Sequence, residues 1–407
     1  MPSLRPYQIV GRDFLAARTR ALLADQMRVG KTPQAIMAAD KVGAERVLVL
    51  CPAIATYQWR EQWADWSPDR APAAILGREP PPACFQGVLI ASYNRAVQHL
   101  EALTAAPRWD VFIPDEAHFA KNPEAQRTKA VYGKGGVGWN ATCIWPLTGT
   151  PSPNHAGEMW PMLRAFGAVK ATYEEFVRYY CYYDEREGRI FGNKPQHLAE
   201  LRALVAPFTL RRTLREVAPD MPPISYNMLA VEPRQGVDLR SDDPEHVDTE
   251  DRISVALAKV DTLAIEIKEC LDAGDYKQTV VFGYHVEPLR ALGEILTAAG
   301  IDASIITGET PMARRQNVQA ALKAGVCQVL IAQMIAAGTA IDLSAAQHGY
   351  FLELDYVPAN NSQAAHRLVN MQTQDPVTFD ILTWPGSKDD RVQRTLLRKV
   401  RSAVFTT

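Results

Sequence analysis

An α/β fold with parallel sheets is predicted by three features of the sequence. Apolar runs of three to five residues recur between helical patterns, and they lack the alternating polar positions of a half-exposed strand, so they read as strands buried on both faces. Each run is followed by a loop and then a helical pattern, the order that parallel strands with crossover helices require. The runs fall into two groups, one before about residue 150 and one after about residue 278, which suits a chain long enough for two to three domains.

The first group is Val47-Leu48-Val49-Leu50-Cys51, Val88-Leu89-Ile90-Ala91, Val111-Phe112-Ile113 and Ile144-Trp145-Pro146-Leu147. The second is Val280-Val281-Phe282, Ser304-Ile305-Ile306, Val329-Leu330-Ile331 and Gly349-Tyr350-Phe351-Leu352. Between them, residues 155–215 read as helical, and Tyr179-Tyr180-Cys181-Tyr182-Tyr183 reads as helix packing rather than a base-stacking platform. Residues 232–251 hold eight acids against Arg234 and Arg240, the composition of a solvated loop that repels DNA. Gly133-Lys134-Gly135-Gly136-Val137-Gly138 has no strand directly before it and opens no helix, so it reads as a flexible loop and not a dinucleotide fingerprint.

Of 407 residues, 47% are hydrophobic, enough to bury large cores without staples. With 44 basic against 46 acidic residues the chain is no general polycation, and contact with nucleic acid must come from a local basic surface. The six cysteines form no CxxC pair, which suggests reduced thiols. No apolar signal core and no span of about 18 apolar residues is present, so a soluble, cytoplasmic protein without a membrane partner is expected.

Three segments carry chemistry. In Asp25-Gln26-Met27-Arg28-Val29-Gly30-Lys31-Thr32, the last three residues supply a turn, a cation for terminal phosphates and a hydroxyl for magnesium. The first glycine of the generic phosphate-loop pattern would fall at Asp25, so that pattern is not met. Asp115-Glu116-Ala117-His118 follows an apolar run, which places two acids at a strand end: Asp115 for the Mg²⁺ shell, Glu116 to orient and deprotonate the attacking water. Pro114 just before them is unexpected, because it removes a ladder donor from a central strand. Leu147-Thr148-Gly149-Thr150-Pro151 again ends a strand. Trp59 and Trp63, at i and i+4, read as one packed helix face, and no histidine pattern suggests a metal site, leaving magnesium with ATP as the one metal expected.

The order of these three segments resembles the Swi/Snf-type ATPases, DNA translocases of helicase superfamily two, in the compact branch of annealing helicases and phage or bacterial relatives. The resemblance extends over nearly the whole chain. Leu4-Arg5-Pro6-Tyr7-Gln8 is similar to the adenine-reading segment, and Asp115 to Asn122 and Leu147 to Trp160 match closely. Leu210-Arg211-Arg212-Thr213 with Pro219-Asp220-Met221-Pro222-Pro223 resembles a brace characteristic of this type and absent from DEAD-box RNA helicases. Later, Thr307-Gly308, Arg314-Arg315, the degraded Ala336-Ala337-Gly338-Thr339-Ala340-Ile341-Asp342-Leu343, Leu352 to Pro358, and Gln363-Ala364-Ala365-His366-Arg367 follow in order.

The resemblance implies two RecA-like lobes, residues 1–222 with the helical insertion and 223–407 with the acidic loop. It implies catalytic roles for Lys31, Asp115, Glu116 and Arg367. ATP contacts are implied for Arg5, Gln8, Gly30, Lys31, Thr32, Gly338, Asp342, Gln363 and Arg367, and magnesium for Thr32 and Asp115. DNA contacts are implied for Pro52, Ala53, Ser92, Tyr93, Thr307 and Gly308. The expected activity is ATP-driven movement on double-stranded or branched DNA by a monomer of a bacterial or phage-infected cell. Asn370 falls where the family carries a second arginine, the finger that neutralises the departing γ-phosphoryl group, so hydrolysis is expected to be slow or to need a protein or DNA activator. An RNA helicase and an ATPase-attenuated DNA clamp are the alternatives.

Overall fold

In a computed structural model the described residues are 2–105, 107–184, 186, 188–220, 224–231, 249–334, 341–370, 373 and 375–401. The chain divides into two compact units, Met1–Pro219 and Asp220–Arg398.

The first unit is built on a five-stranded parallel sheet. Its strands are β2 (Arg46–Cys51), β3 (Ala74–Ile75), β4 (Gly87–Ser92), β5 (Trp109–Pro114) and β6 (Ala141–Ile144), in the order β3-β4-β2-β5-β6. Every residue of β2 is buried, as an uninterrupted apolar run with both faces covered should be. The short β1 (Leu22–Leu23) lies beside the continuation of β6 through the bridge Leu23↔Leu147, and it pairs in parallel with β9 (Thr209–Leu210). Pro114 sits inside β5 at the cost of one rung. In a parallel ladder successive N–H groups point to opposite neighbours, and the flanking rungs are intact: the Asp115 N–H donates to Leu50 O at 2.7 Å, and the Leu147 N–H donates to Pro114 O at 2.9 Å.

Helices α1 (Pro6–Ala16), α2 (Lys31–Lys41), α3 (Thr56–Trp66) and α4 (Tyr93–Gln98) cover the sheet, with Leu15, Ile36, Trp59 and Trp63 in one core layer and Leu48, Phe112, Trp109 and Tyr93 in the other.

The 155–215 segment is not helical throughout. Helices Trp160–Ala165, Tyr173–Tyr180 and Leu198–Val205 flank an antiparallel hairpin of β7 (Cys181–Asp184) and β8 (Arg189–Asn193). The tyrosine cluster is therefore split between helix and strand. Tyr180 and Cys181 are buried, whereas Tyr179, Tyr182 and Tyr183 are exposed, and Tyr182 stacks on Phe191 across the hairpin. The expectation of a packed tyrosine cluster holds for one of its four tyrosines. The helical periodicity stops at Tyr180, and the strand that follows leaves Tyr182 exposed on a separate two-stranded sheet.

The second unit carries a six-stranded parallel sheet: β10 (Ile224–Ala230), β11 (Thr279–Gly283), β12 (Ala303–Ile306), β13 (Val329–Gln333), β14 (His348–Phe351) and β15 (Val377–Thr383), ordered β10-β15-β14-β11-β13-β12. The helix Thr249–Ala273 packs on it through Val260, Leu263 and Ile267. Its buried Lys259 is accommodated by donating to Leu352 O, Leu382 O and the Asp389 carboxylate. Of the acidic stretch 232–251, residues 232–248 lie outside the described residues. Among the described residues all six cysteines are free thiols, and no helix is long and apolar enough to cross a membrane.

Candidate functional site

The loop between β1 and α2 is shaped by two left-handed residues, Arg28 (φ 67°) and Gly30 (φ 81°). Gly30 caps α2, and glycine is needed there twice over. The positive φ disfavours a side chain, and a Cβ would stand 2.5 Å from the Gln8 amide nitrogen. Arg28 holds the same conformation with a side chain, a strain of about 1–2 kcal/mol. Lys31 folds back over the loop and donates to Asp25 O at 2.9 Å, while Thr32 follows it in the first turn of α2.

Asp25 explains why the generic glycine pattern is not met. Its carboxylate is fully buried and paired in fork fashion with the Arg212 guanidinium, and it also accepts from Gln34 Nε2 at 3.2 Å. Arg212 donates further to Tyr7 O and to Gln34 Oε1, and lies over the Tyr7 ring. The brace Leu210–Thr213 is thus an anchor of the phosphate loop, reinforced where Gln26 N–H donates to Arg212 O and Leu214 N–H donates to Gln26 Oε1. A Cβ on Gly11 would run into Gln34 and Arg212, so α1 is pinned to the same network. Gln8 is seated against the loop: its Oε1 accepts from the Arg5 N–H and its Nε2 faces Val29 O at 3.4 Å, while Arg5 itself is exposed.

Asp115 and Glu116 stand at the end of β5. Burial, followed by the neighbouring Glu116 charge, pushes the Asp115 carboxyl up to about 6, against the lowering effect of Trp59 and Lys31. Its Oδ2 accepts from Trp59 Nε1 at 2.7 Å and its Oδ1 accepts from the Glu116 N–H at 2.9 Å. Glu116 is itself left-handed (φ 48°), and its Oε2 is buried with no hydrogen bond among the described residues. His118 lies 3.4 Å from that oxygen and shares a 3.0 Å hydrogen bond with Thr148 of the next motif. Burial and then the Lys121 charge hold His118 down to about 4, so it is neutral at pH 7. Lys121 pairs with the buried Glu158 at 2.7 Å and ties the two motifs a second time.

Two adjacent half-buried carboxylates, with the Lys31 charge acting on Asp115, beside a helix N-terminus and a threonine hydroxyl, form a donor set that fits a magnesium-bound nucleotide phosphate chain. Among the described residues no group of three His, Cys, Asp or Glu could hold a metal by itself.

The residues expected to touch DNA divide by exposure. Ala53 and Gly308 are exposed and Ser92 is half-buried, whereas Pro52, Tyr93 and Thr307 are buried. The Tyr93 ring stacks on Phe119 and its hydroxyl donates to Asp115 O at 2.7 Å, so the side chain serves the interior. Thr307 is likewise held within its own turn. Its N–H donates to Thr310 Oγ1, and the buried Arg315 donates to its carbonyl. The Gly308 N–H donates to Gln333 Oε1.

In the second unit, Gln363 is buried at the end of the helix Pro358–Ala365, and Arg367 follows it half-buried, its carbonyl accepting from the Leu343 N–H. Asp342 Oδ1 accepts from the Ser344 N–H. Gly338 lies outside the described residues. Asn370 is used locally. Its Nδ2 donates to Ser344 Oγ at 2.6 Å, and its N–H donates to Thr373 Oγ1 at 2.8 Å. The residues that sequence reasoning missed are Gln34, Trp59, Tyr93 and His118 in their positioning roles. The pair Trp59 and Trp63 was the one visible signal, and its spacing pointed to packing, which is also true.

Parallel sheets flanked by helices in two units, with a phosphate loop and an acid pair at strand ends of one sheet edge, define a RecA-type nucleotide hydrolase core. Residues 7–237 match the model of the SNF2-related domain and residues 259–371 that of the helicase conserved C-terminal domain. The chain belongs to the SNF2-related family.

It is similar to the SWI/SNF-related matrix-associated actin-dependent regulator of chromatin subfamily A-like protein 1 of Drosophila melanogaster, 26% identical over 424 residues, covering 97% of this chain and 55% of that protein. It is also similar to the DNA annealing helicase and endonuclease ZRANB3 of Bos taurus, 26% identical over 442 residues, covering 98% of this chain and 40% of that protein. The chain thus spans about half the length, or less, of these curated relatives. Among solved structures it is similar to the Sulfolobus solfataricus SWI2/SNF2 ATPase core in complex with dsDNA, with a TM-score of 0.49 and 20% identity, covering 98% of this chain and 93% of that one.

Proposed function

We propose that this chain is an ATP-dependent translocase or remodeller that acts on double-stranded or branched DNA. The observation that carries the reading is the placement of Lys31, Asp115 and Glu116 at strand ends on either side of the β6 continuation, with the Lys31 charge acting on Asp115 and a buried carboxylate oxygen of Glu116 left without a hydrogen bond among the described residues. Membership of the SNF2-related family and relatives whose names refer to DNA annealing and chromatin support DNA over RNA.

Bound Mg·ATP would supply the scissile phosphoanhydride and the cation that screens it. Lys31 would hold the terminal phosphates, Thr32 and Asp115 the magnesium, and Gln8 with Arg5 the base. Glu116 would take a proton from the attacking water at its free oxygen. The exposed Ala53 and Gly308 backbones and Ser92 would meet DNA phosphates, giving little sequence preference and strong salt dependence. The deciding measurement is steady-state ATP hydrolysis with no nucleic acid, single-stranded DNA, duplex DNA, forked DNA and RNA. Duplex or forked DNA should stimulate most, and stimulation selective for RNA would overturn the reading.

The same reading makes the enzyme a monomer with a slow intrinsic turnover. Asn370 is uncharged and held by Ser344 and Thr373, so it supplies no charge at the position where the resemblance puts the finger. A finger contributes on the order of 10³–10⁵ in rate in related hydrolases. Asn370→Arg should therefore raise DNA-stimulated turnover well above the parent. A parent that already turns over at tens per second (order of magnitude for an efficient phosphoryl-transfer enzyme), and is slowed by the substitution, would show that another base fills the role.

A further inference from the structure

We propose that Asp115 is the point at which DNA contact is reported to the phosphate site, with Trp59 and Tyr93 as the positioning residues that carry the report. The inference rests on the DNA reading above and adds its route.

Strands β4, β2 and β5 are neighbours in the sheet, so the segments that leave their C-terminal ends lie side by side. Two of those segments, entered at Ala53 and at Ser92, are the ones proposed to meet DNA in this unit. Each leads directly into a helix. Ala53 opens the turn Ala53–Ala55 ahead of α3, whose first turn carries Trp59, while Ser92 caps α4 by accepting from the Arg95 N–H, and Tyr93 is the first residue of that helix.

Both helices end their inward reach on one residue. Trp59 is 2% exposed and its Nε1 donates to Asp115 Oδ2 at 2.7 Å, while Tyr93 is 5% exposed and its hydroxyl donates to Asp115 O at 2.7 Å. The Asp115 N–H donates to Leu50 O of β2, and Oδ1 accepts from the Glu116 N–H. Every polar atom of Asp115 is thus bonded, and three of the four partners belong to β2, α3 or α4. A small displacement of either helix by a bound phosphate backbone moves the carboxylate that is placed to hold magnesium, and the packed core offers no slack to absorb it. Exposed Ala53 and buried Trp59 are six residues apart in one arm, and half-buried Ser92 and buried Tyr93 are adjacent in the other, so the route is short.

Coupling between two binding sites is reciprocal, so it is read most cleanly as a binding shift. The experiment compares the parent, Trp59→Phe and Tyr93→Phe. Each substitution keeps an aromatic ring in the core and deletes one donor. DNA affinity is measured at fixed salt with and without saturating magnesium and a non-hydrolysable ATP analogue, and analogue affinity is measured in parallel.

The parent should show a shift in DNA Kd of about fivefold or more on adding the analogue, the low end of ordinary site–site coupling. Both variants should bind DNA alone within about twofold of the parent, and each should lose most of the shift even when the analogue is saturating. If the variants bind the analogue more weakly yet keep the full shift at saturation, the two bonds only hold the metal site in shape and the proposal is wrong. A parent that shows a strong analogue-dependent shift retained by both variants overturns the route alone. A parent that binds no DNA overturns the functional reading, and the route falls with it.

Discussion

In the first unit the loop before α2 is anchored by buried charge, with Asp25 fully enclosed and its carboxylate forked to Arg212. In the second, the turn that holds Asn370 is anchored by neutral hydrogen bonds to Ser344 and Thr373. A buried ion pair fixes one geometry and fails abruptly when one partner is removed, because the other is left uncompensated. A neutral, half-buried corner gives up hydrogen bonds when truncated but leaves no buried charge uncompensated. The phosphate loop must keep backbone carbonyls and N–H groups in a strained left-handed path, and the charged anchor is what over-determines it. Asn370 itself has no left-handed backbone, so a residue can change there without loss of the fold.

The comparison can be broken at several points. Lys31→Ala should leave the secondary structure intact by circular dichroism and lower ATP turnover at least about 10³-fold, the scale on which a preorganised charge acts in phosphoryl transfer. Turnover at the parent rate would mean that the loop is not the phosphate site. Arg212→Met should destabilise the first unit by about 3–5 kcal/mol, because Asp25 is then buried without its counter-charge; urea unfolding would show this as a lowered midpoint. Asn370→Ala should cost only about 0.5–1.5 kcal/mol in the same assay. Equal losses for the two variants would erase the distinction between the corners.

The smallest effect is one of pH. His118 is held down to about 4 from an ordinary 6.5, so its neutral burial contributes stability above pH 6.5 that is lost as pH falls toward 4. Asp115, raised to about 6, has the opposite sign, with a contribution present below its ordinary 3.8 and lost as pH rises through 6. The two largely offset in the parent. His118→Gln removes one side of the balance, so its Tm deficit should shrink as pH is lowered from 6.5 to 4. A deficit constant across that range would contradict the sign.

Strand runs such as Val47–Cys51 and Val280–Phe282 were legible because a strand buried on both faces leaves an uninterrupted apolar signature. Lys31, Asp115 and Glu116 were singled out by residue type and short local spacing, and the structure places the first at the start of α2 and the other two just past the end of β5. The hairpin at 181–193 was misread, since its tyrosines continue a helical pattern up to Tyr180 and nothing local marks the change of period.

The sequence by itself determined the α/β class, the order of the motifs and the identities of the charged groups, all of which rest on contacts between near neighbours. Only the tertiary structure decided that Asp25 belongs to Arg212, 187 residues away, that Tyr93 turns inward, and that Trp59 and Tyr93 meet on Asp115. Partners so far apart in the chain are chosen by sheet order. Strand order, set by which buried faces pack together, leaves no trace in any single stretch of residues.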